Sequence, residues 1–164
     1  MAMTLRPPVE ADLPALQALD AAYATLHGLE PAVTEGSLRF FGRTEHSFVA
    51  EASAGAGTNL AGFVLAQAVW SGERPQVLVA RLVAGAPEAS EPLVKALVKS
   101  AYDSGVYDLL TRVPATDAAL LELLGRESFV ADRMVGLVRI LGSRGARIDE
   151  PTPAASREEA RSHG

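Results

Sequence analysis

Residues 75–102 read PQVLVARLVAGAPEASEPLVKALVKSAY, and this stretch decides the fold. Its first part, residues 76–83, is rich in β-branched and other apolar side chains and predicts a strand. A short loop over residues 84–89 leads into a helix, with Ser90 as the expected cap and Pro92 expected in the first turn. Apolar residues recur in that helix with helical spacing: Leu93, Val94, Leu97, Val98 and Ala101.

The start of this helix is predicted to be a site for an anion. The first N–H groups of a helix have no partner within it, and the helix dipole adds a positive field there. A phosphate can therefore be held by such a turn. Residues 89–94 nevertheless contain no glycine and no basic residue, Glu91 adds a negative charge, and Pro92 lacks an N–H group.

Composition indicates one domain with an aliphatic core. The chain has 164 residues, of which 48% are apolar and 5% aromatic, enough to form a sizeable core. The net charge of -5 argues against nucleic-acid binding, because no basic stripe is present. The absence of cysteine excludes disulfides and thiolate metal sites, and the three histidines lack the spacing of metal ligands, so no metal is expected. No apolar run approaches the ~18–20 residues of a membrane span and no signal peptide is evident, so a cytoplasmic protein without a membrane partner is expected.

The rest of the chain predicts an α+β fold. Two helices, one opening at Asp12 and one over residues 35–41 with Thr34 as its cap, follow a short first strand. Further strands are expected at residues 47–52, 60–70, 107–113 and, as one or two closing strands, 128–141, with a helix capped by Thr116 before the last. We therefore expect a mixed sheet of about six to seven strands, an antiparallel meander plus one parallel crossover, flanked by about four helices. The domain is expected over residues 1–141, and residues 142–164, which lose apolar periodicity, are expected to be a disordered tail.

Several local phrases, in this element order, resemble the GNAT-type N-acyltransferase superfamily. They are Leu5-Arg6 with Glu10-Ala11-Asp12, then Ala61-Gly62-Phe63-Val64, then Leu82-Val83 with Pro87-Glu88, and finally Leu123-Leu124-Gly125 with Phe129. The resemblance covers about residues 4–141. It implies a GNAT-like sheet. It also implies that the chain is a divergent member of the superfamily, since the loop that would hold the acyl-CoA pyrophosphate is degenerate.

The resemblance also implies where acetyl-CoA, as a co-substrate, would bind. In that superfamily the fourth and fifth strands part and the acyl-CoA inserts between them. Carried over, the backbone of Leu82, Val83 and Ala84 would pair with the pantetheine arm. The N–H groups that would face the pyrophosphate belong to residues 90–94, among them Ser90, Glu91, Leu93 and Val94.

Candidates for the remaining roles follow from what the chain offers. Leu121 stands roughly where the superfamily carries a tyrosine, so Tyr107 is the candidate for the catalytic acid. Glu51 is the candidate base, against the alternative of a solvent-facing strand carboxylate. Trp70 and Arg81 are candidates for substrate binding, against the alternatives of rim packing and a surface arginine.

Two functions are carried forward from the sequence. The first is an acyl-CoA-dependent N-acyltransferase, an N-acetyltransferase acting on a small-molecule or peptide amine. The second is a catalytically inactive module of the same fold that binds a partner or forms a homodimer through an open sheet edge.

Overall fold

A five-stranded mixed sheet forms the centre of the molecule, for which the computed structural model describes residues 2–55 and 57–141. Neighbouring strands are antiparallel except for the last pair, which is parallel. The strands, in spatial as well as chain order, are β1 (Met3–Arg6), β2 (Phe48–Ala54), β3 (Gly57–Ser71), β4 (Arg74–Ala84) and β5 (Asp108–Thr111).

Helices cover both faces of the sheet. The four are α1 (Leu13–His27), α2 (Glu35–Phe41), α3 (Pro87–Asp103) and α4 (Ala118–Arg126), and a 3₁₀ turn (Glu10–Asp12) precedes α1. The apolar face of α3 packs on one side of the sheet, where Leu93, Val94 and Leu97 are fully buried. On the other side α1 and α2 bury Leu16 and Leu38 against Phe63 of β3. The result is the predicted α+β architecture with helices on two faces.

The prediction of six to seven strands was wrong, since five are present in the described residues. The missing strands are those expected over residues 128–141. Ser128 adopts a left-handed backbone conformation (φ 69), and residues 129–141 form neither helix nor strand. Apolar alternation favours extended backbone, but a strand also needs a hydrogen-bonded neighbour, which this segment lacks among the described residues.

The chain separates into two units, Met1–Val130 and Ala131–Gly164. All the helices and strands above belong to the first. The second is described over residues 131–141, and the tail predicted to be disordered lies outside the described residues.

The predicted start of α3 was also wrong, because the helix begins at Pro87 rather than after Ser90. Ala86 is extended (φ -125, ψ 138) and precedes a proline at the first helical position, where the fixed φ of proline is favourable. Pro92 therefore lies inside the helix, where it removes one internal hydrogen bond. Of the two prolines that could have opened the helix, the earlier one does so.

Two interruptions of the strand register shape the sheet. Between β3 and β4, Leu65 pairs with Arg81 but Ala66 pairs with Val79, so Ala80 has no partner. Between β2 and β3, Ala61 is unmatched in the same way. Such bulges bend a strand and increase its local twist.

Gly62 lies where β3, β4 and α3 approach one another closely. A Cβ atom built there would stand 2.6 Å from the carbonyl oxygen of Val83 and 3.0 Å from Cδ1 of Leu93. The backbone oxygen cannot move without disturbing the β3–β4 ladder. A side chain at this position would therefore separate the sheet from α3.

We expect Gly62→Ala to lower the free energy of unfolding by about 1–3 kcal/mol, the usual cost of overpacking a filled interior. Gly36→Ala in α2 is the matched control, because its Cβ would meet only Thr34 Oγ1 at 3.9 Å. The control should be neutral or stabilising, since alanine is the better helix former. Urea unfolding monitored by circular dichroism measures both, and equal midpoints for the two variants would contradict this account.

Candidate functional site

β4 and β5 pair over only part of the length of β4. Their hydrogen-bonded register runs from Gln76 opposite Asp108 to Val79 opposite Thr111, whereas β4 continues to Ala84. The other edge of β4 remains paired with β3 up to Ala84. Residues 80–84 therefore have one backbone edge without a neighbouring strand, as the sequence resemblance implied.

The pairing ends where the bulge begins. Ala80, the unmatched residue on β4, directly follows Val79, the last residue paired with β5. Because a bulge turns its strand away from the preceding direction, the bulge gives β4 a physical reason to leave β5. Beyond Thr111 the chain reaches Pro114, which has no N–H group to extend a ladder.

Two cavities lie along this free edge. The larger, about 400 Å³, is bounded by the end of β4, the start of α3 and the apolar face of α4. The smaller, about 290 Å³, lies between residues 80–82 of β4 and residues 111–114 after β5. Tyr23, Leu82 and Leu120 line both. The larger cavity has the size of a small-molecule site.

A cluster of polar side chains surrounds Tyr23, which lines both cavities, and includes Asp117, which lines the larger one. The hydroxyl of Tyr23 in α1 donates to Asp117 Oδ2 at 2.6 Å, and the other carboxylate oxygen accepts from the Leu120 N–H group at 3.1 Å. Asp117, not the predicted Thr116, thus caps α4. Thr116 instead contacts His27, with 2.7 Å between Oγ1 of Thr116 and Nδ1 of His27. His27 also packs against the ring of Tyr23, with 4.5 Å between the ring centres.

Arg81 is held in a buried ion pair at the start of the free edge. Its Nε atom donates to Asp20 Oδ1 at 2.8 Å, and Asp20 is 1% exposed. The second oxygen of Asp20 accepts from the N–H groups of Ala32 and Val33 at 2.6 and 3.0 Å. Arg81 lines the smaller cavity, but most of its hydrogen bonding is directed at α1 and the loop that follows.

The residues predicted to bind acetyl-CoA divide into two groups. Leu82, Ala84, Ser90 and Glu91 line the larger cavity. Val83, Leu93 and Val94 are almost fully buried in the core. Because α3 starts at Pro87, the N–H groups of Ser90, Glu91, Leu93 and Val94 fall within the helix and serve its own hydrogen bonds.

The turn before α3 does not fit a diphosphate. The N–H groups of Gly85 and Ala86 both donate to the carbonyl of Ala61, at 2.7 and 3.1 Å, and Pro87 has none. The Glu91 carboxylate borders the same space. The pantetheine arm is a different case, since residues 80–84 offer it an unpaired strand edge.

Glu51 is paired with Arg6, which also binds Asp12. Arg6 donates to Glu51 Oε1 at 2.8 Å and makes two further hydrogen bonds to Asp12, each 2.8 Å. Burial opposes ionisation of Asp12, but the hydrogen bonds from Arg6 and from the Val9 N–H group outweigh it and hold its pKa below the usual value. Glu51 is not among the residues that line the two cavities.

Tyr107 and Trp70 lie at the surface. Tyr107 is 73% exposed and packs edge-on against Tyr102, with 5.8 Å between ring centres. Trp70 is 75% exposed near the far end of β3, opposite Pro75. Neither borders the two cavities.

Sequence reasoning missed Tyr23 and Asp117 as site residues. Tyr23 lies in the stripe of α1 that also contains Leu16 and was given no role, and Asp117 lies next to Thr116, which was the expected cap. They are 94 residues apart in the chain, and no local pattern joins them. Two signals were available in the sequence. Tyr23 is a phenol among aliphatic residues of α1, and Asp117 is an acidic residue just before the helix that follows the predicted parting of the strands.

Comparison with known proteins places the chain beside one uncharacterised family and several acetyltransferase structures. The profile of a family described as DUF1999, a protein of unknown function, matches residues 3–151. TTHA1254 from Thermus thermophilus is 42% identical, with 86% of this chain and 99% of that chain covered and a TM-score of 0.70. No curated protein matches the sequence.

More distant structures share the fold. A putative acetyltransferase from Agrobacterium tumefaciens str. C58 is 16% identical, with 84% and 99% of the two chains covered and a TM-score of 0.62. A ribosomal-protein-alanine N-acetyltransferase from Brucella melitensis biovar Abortus 2308 is 15% identical, with 85% and 100% covered and a TM-score of 0.59. The chain therefore shares the fold of these acetyltransferases, a GNAT-like fold as the sequence resemblance implied. Within residues 2–55 and 57–141, no group of three or more metal-binding side chains is present, and no helix is long and apolar enough to cross a membrane.

We expect the Tyr23–Asp117 hydrogen bond to make stability depend on alkaline pH. Burial and the bond to Asp117 raise the pKa of Tyr23 above its usual value of 10.0. Such a phenol contributes stability in full below the pKa of the unfolded chain, and the contribution is lost as the pH rises above it. The free energy of unfolding of the wild type should therefore fall between about pH 10 and 12.

Tyr23→Phe should show a smaller fall over that range and should be less stable by about 1–2 kcal/mol at neutral pH. Tyr107→Phe is the control, because its exposed ring should leave the wild-type pH dependence intact. Guanidinium unfolding at each pH measures the three proteins. Parallel pH curves for Tyr23→Phe and the wild type would contradict the role of this hydrogen bond.

Proposed function

The chain belongs to the DUF1999 family, a family of unknown function, and we propose that it transfers an acyl group from a pantetheine thioester to an amine. The observation that carries the proposal is the free edge of β4. Residues 80–84 continue as a strand after the pairing with β5 has ended, and two cavities border them. The acetyltransferase fold supports the proposal, and we expect the reaction in the cytoplasm.

The free edge of β4 is suited to the amide groups of a pantetheine arm. An unpaired strand edge presents alternating N–H and C=O groups, which pair with another extended amide chain. The arm would lie beside Leu82 and bring the thioester near the end of the paired region. An N–H group of this edge would then polarise the thioester carbonyl.

The chemistry is a direct displacement. The amine nitrogen attacks the thioester carbonyl carbon, a C–N bond forms and the C–S bond breaks. The amine gives up one proton, and the thiolate takes one to leave as a thiol. Holding both reactants in one cavity supplies much of the rate enhancement, because a bimolecular step becomes effectively unimolecular.

We propose Asp117 as the group that binds the amine and accepts its proton. Its carboxylate borders the larger cavity and is oriented by the Tyr23 hydroxyl and the Leu120 N–H group. Glu91, the other carboxylate of that cavity, is hydrogen-bonded to Lys95 at 2.6 Å. Glu51, the base expected from the sequence, is paired with Arg6. Asp117 is therefore the better candidate, with Tyr23 as its positioning residue.

The direct test is transfer from a thioester to a panel of small amines and short peptides. The purified chain is incubated with acetyl-CoA and, separately, with S-acetylpantetheine. Thiol release and the mass of the acylated product are measured against reactions without protein. We expect at least one amine to be acylated faster than in the blank. The absence of both transfer and thioester binding at millimolar ligand would overturn the proposal.

Asp117→Asn removes the negative charge at this position and keeps a side chain that can cap α4. Asparagine is also a good helix cap, so α4 should be retained. We expect kcat/KM for a cationic amine to fall about 10- to 100-fold, in the range of a lost general base. Asp103→Asn, at the exposed end of α3, is the matched control and should behave as the wild type. Equal rates for the Asp117→Asn variant and the wild type would remove Asp117 from the mechanism.

A second candidate function is self-association without catalysis. The observation that favours it is the segment 130–141, in which every large apolar side chain is exposed: Val130, Met134, Val135, Leu137, Val138, Ile140 and Leu141. A run of exposed apolar side chains of this kind favours an interaction site. A second copy of the chain is the partner that this proposal commits to.

On this second proposal the wild type is a dimer at about 100 µM, and Leu137→Lys shifts it to a monomer, because a charge in an apolar interface is costly. Leu26→Lys is the control, since Leu26 is an exposed leucine of α1 outside this segment. Light scattering after size exclusion measures the mass. A monomeric wild type at this concentration contradicts self-association.

A further inference from the structure

The turn between β4 and α3 directs its hydrogen-bond donors inward. Ala61 is the unmatched residue of the β2–β3 bulge, so its carbonyl is free of the regular ladder. A buried carbonyl needs a donor. Gly85 and Ala86 supply two, at 2.7 and 3.1 Å, and the next residue is Pro87. Three successive positions therefore offer no N–H group to a ligand.

The charges around this turn are mainly negative. Glu88 lies in the first turn of α3 and Glu91 in the second. The charged side chains that line the larger cavity are Glu91, Asp117 and Arg126, two carboxylates against one guanidinium. Arg126 also lies 3.7 Å from Glu122. Glu91 is itself paired with Lys95 at 2.6 Å. These residues together carry four carboxylates (Glu88, Glu91, Asp117 and Glu122) against two cations (Lys95 and Arg126). A helix N-terminus adds only about half a positive charge, so the balance stays negative.

The free edge of β4 has the opposite character. It consists of backbone groups and the apolar side chains of residues such as Leu82 and Ala84. A pantetheine arm is uncharged and rich in amides, and it needs no cation. The free edge of β4 thus offers groups that would hold an uncharged acyl donor, whereas the turn before α3 offers a diphosphate no N–H donor and Glu91 adds a like charge.

We infer that the acyl donor is recognised through its pantetheine arm alone, and that the nucleotide diphosphate of CoA adds no affinity. The inference rests on the proposed transferase function. The substrate class it names is an acylated pantetheine, whether or not a nucleotide is attached. Acetyl-CoA then acts as an acyl donor because the protein binds its pantetheine arm. Its nucleotide makes no hydrogen bond to the protein.

The experiment compares the calorimetric Kd of acetyl-CoA with that of S-acetylpantetheine, at about 50 and 500 mM NaCl. The two ligands should bind within about threefold of each other at the lower salt. The Kd of acetyl-CoA should be lower at 500 mM than at 50 mM NaCl, because screening weakens the repulsion between its phosphates and the carboxylates of the protein. Acetyl-CoA binding more than tenfold tighter than S-acetylpantetheine, and weakening with salt, would overturn the inference.

Glu91→Gln tests the charge directly. Removing one carboxylate should raise the ratio of acetyl-CoA affinity to S-acetylpantetheine affinity about fivefold. Glu73→Gln, in the turn between β3 and β4, makes the same charge change away from α3 and should leave that ratio unaltered. An unaltered ratio in Glu91→Gln would contradict the repulsion.

Failure of the inference is distinguishable from failure of the proposed function. Preferential binding of acetyl-CoA together with amine acylation would retain the transferase and remove only the statement about the nucleotide. Absence of binding by either thioester, with no acylation, would remove both.

Discussion

The open edge of the sheet depends on a single unmatched residue, Ala80. Because Ala80 has no partner on β3, β4 bends there, and its hydrogen bonds to β5 end at the preceding residue. Everything proposed for the site follows from this change of direction. The backbone edge of residues 80–84, the two cavities and the position of Tyr23 beside them would not exist in a fully paired sheet.

The second bulge has the opposite consequence for ligand binding. At Ala61 the interrupted register turns a carbonyl toward the loop that precedes α3, and two N–H groups of that loop bond to it. The first bulge thus leaves backbone groups of β4 without partners. The second bulge supplies a carbonyl that occupies two N–H groups of the turn before α3, so a ligand cannot use them. The two bulges lie on adjacent strands, and they explain why one half of an acyl-CoA fits the cavity better than the other.

Local patterns were sufficient for much of the fold. The helix predicted over residues 35–41 with Thr34 as its cap is α2 as observed, because capping depends on residues adjacent in sequence. The start of α3 was not predictable in this way, since two prolines offered competing starts. Neither bulge was predictable, because register depends on which residue of a distant strand lies opposite. The contact between Tyr23 and Asp117 likewise required the finished fold.

The ion pair between Arg81 and Asp20 makes the walls of the cavity unequal in rigidity. It joins β4 to α1, and through Ala32 and Val33 it also fixes the loop after α1. The start of α4 is attached to α1 by two side-chain hydrogen bonds, from Tyr23 and His27. A ligand in the larger cavity would therefore lie between one wall, β4 and α1, that a buried ion pair joins, and a second wall, α4, that those hydrogen bonds and its buried leucines hold.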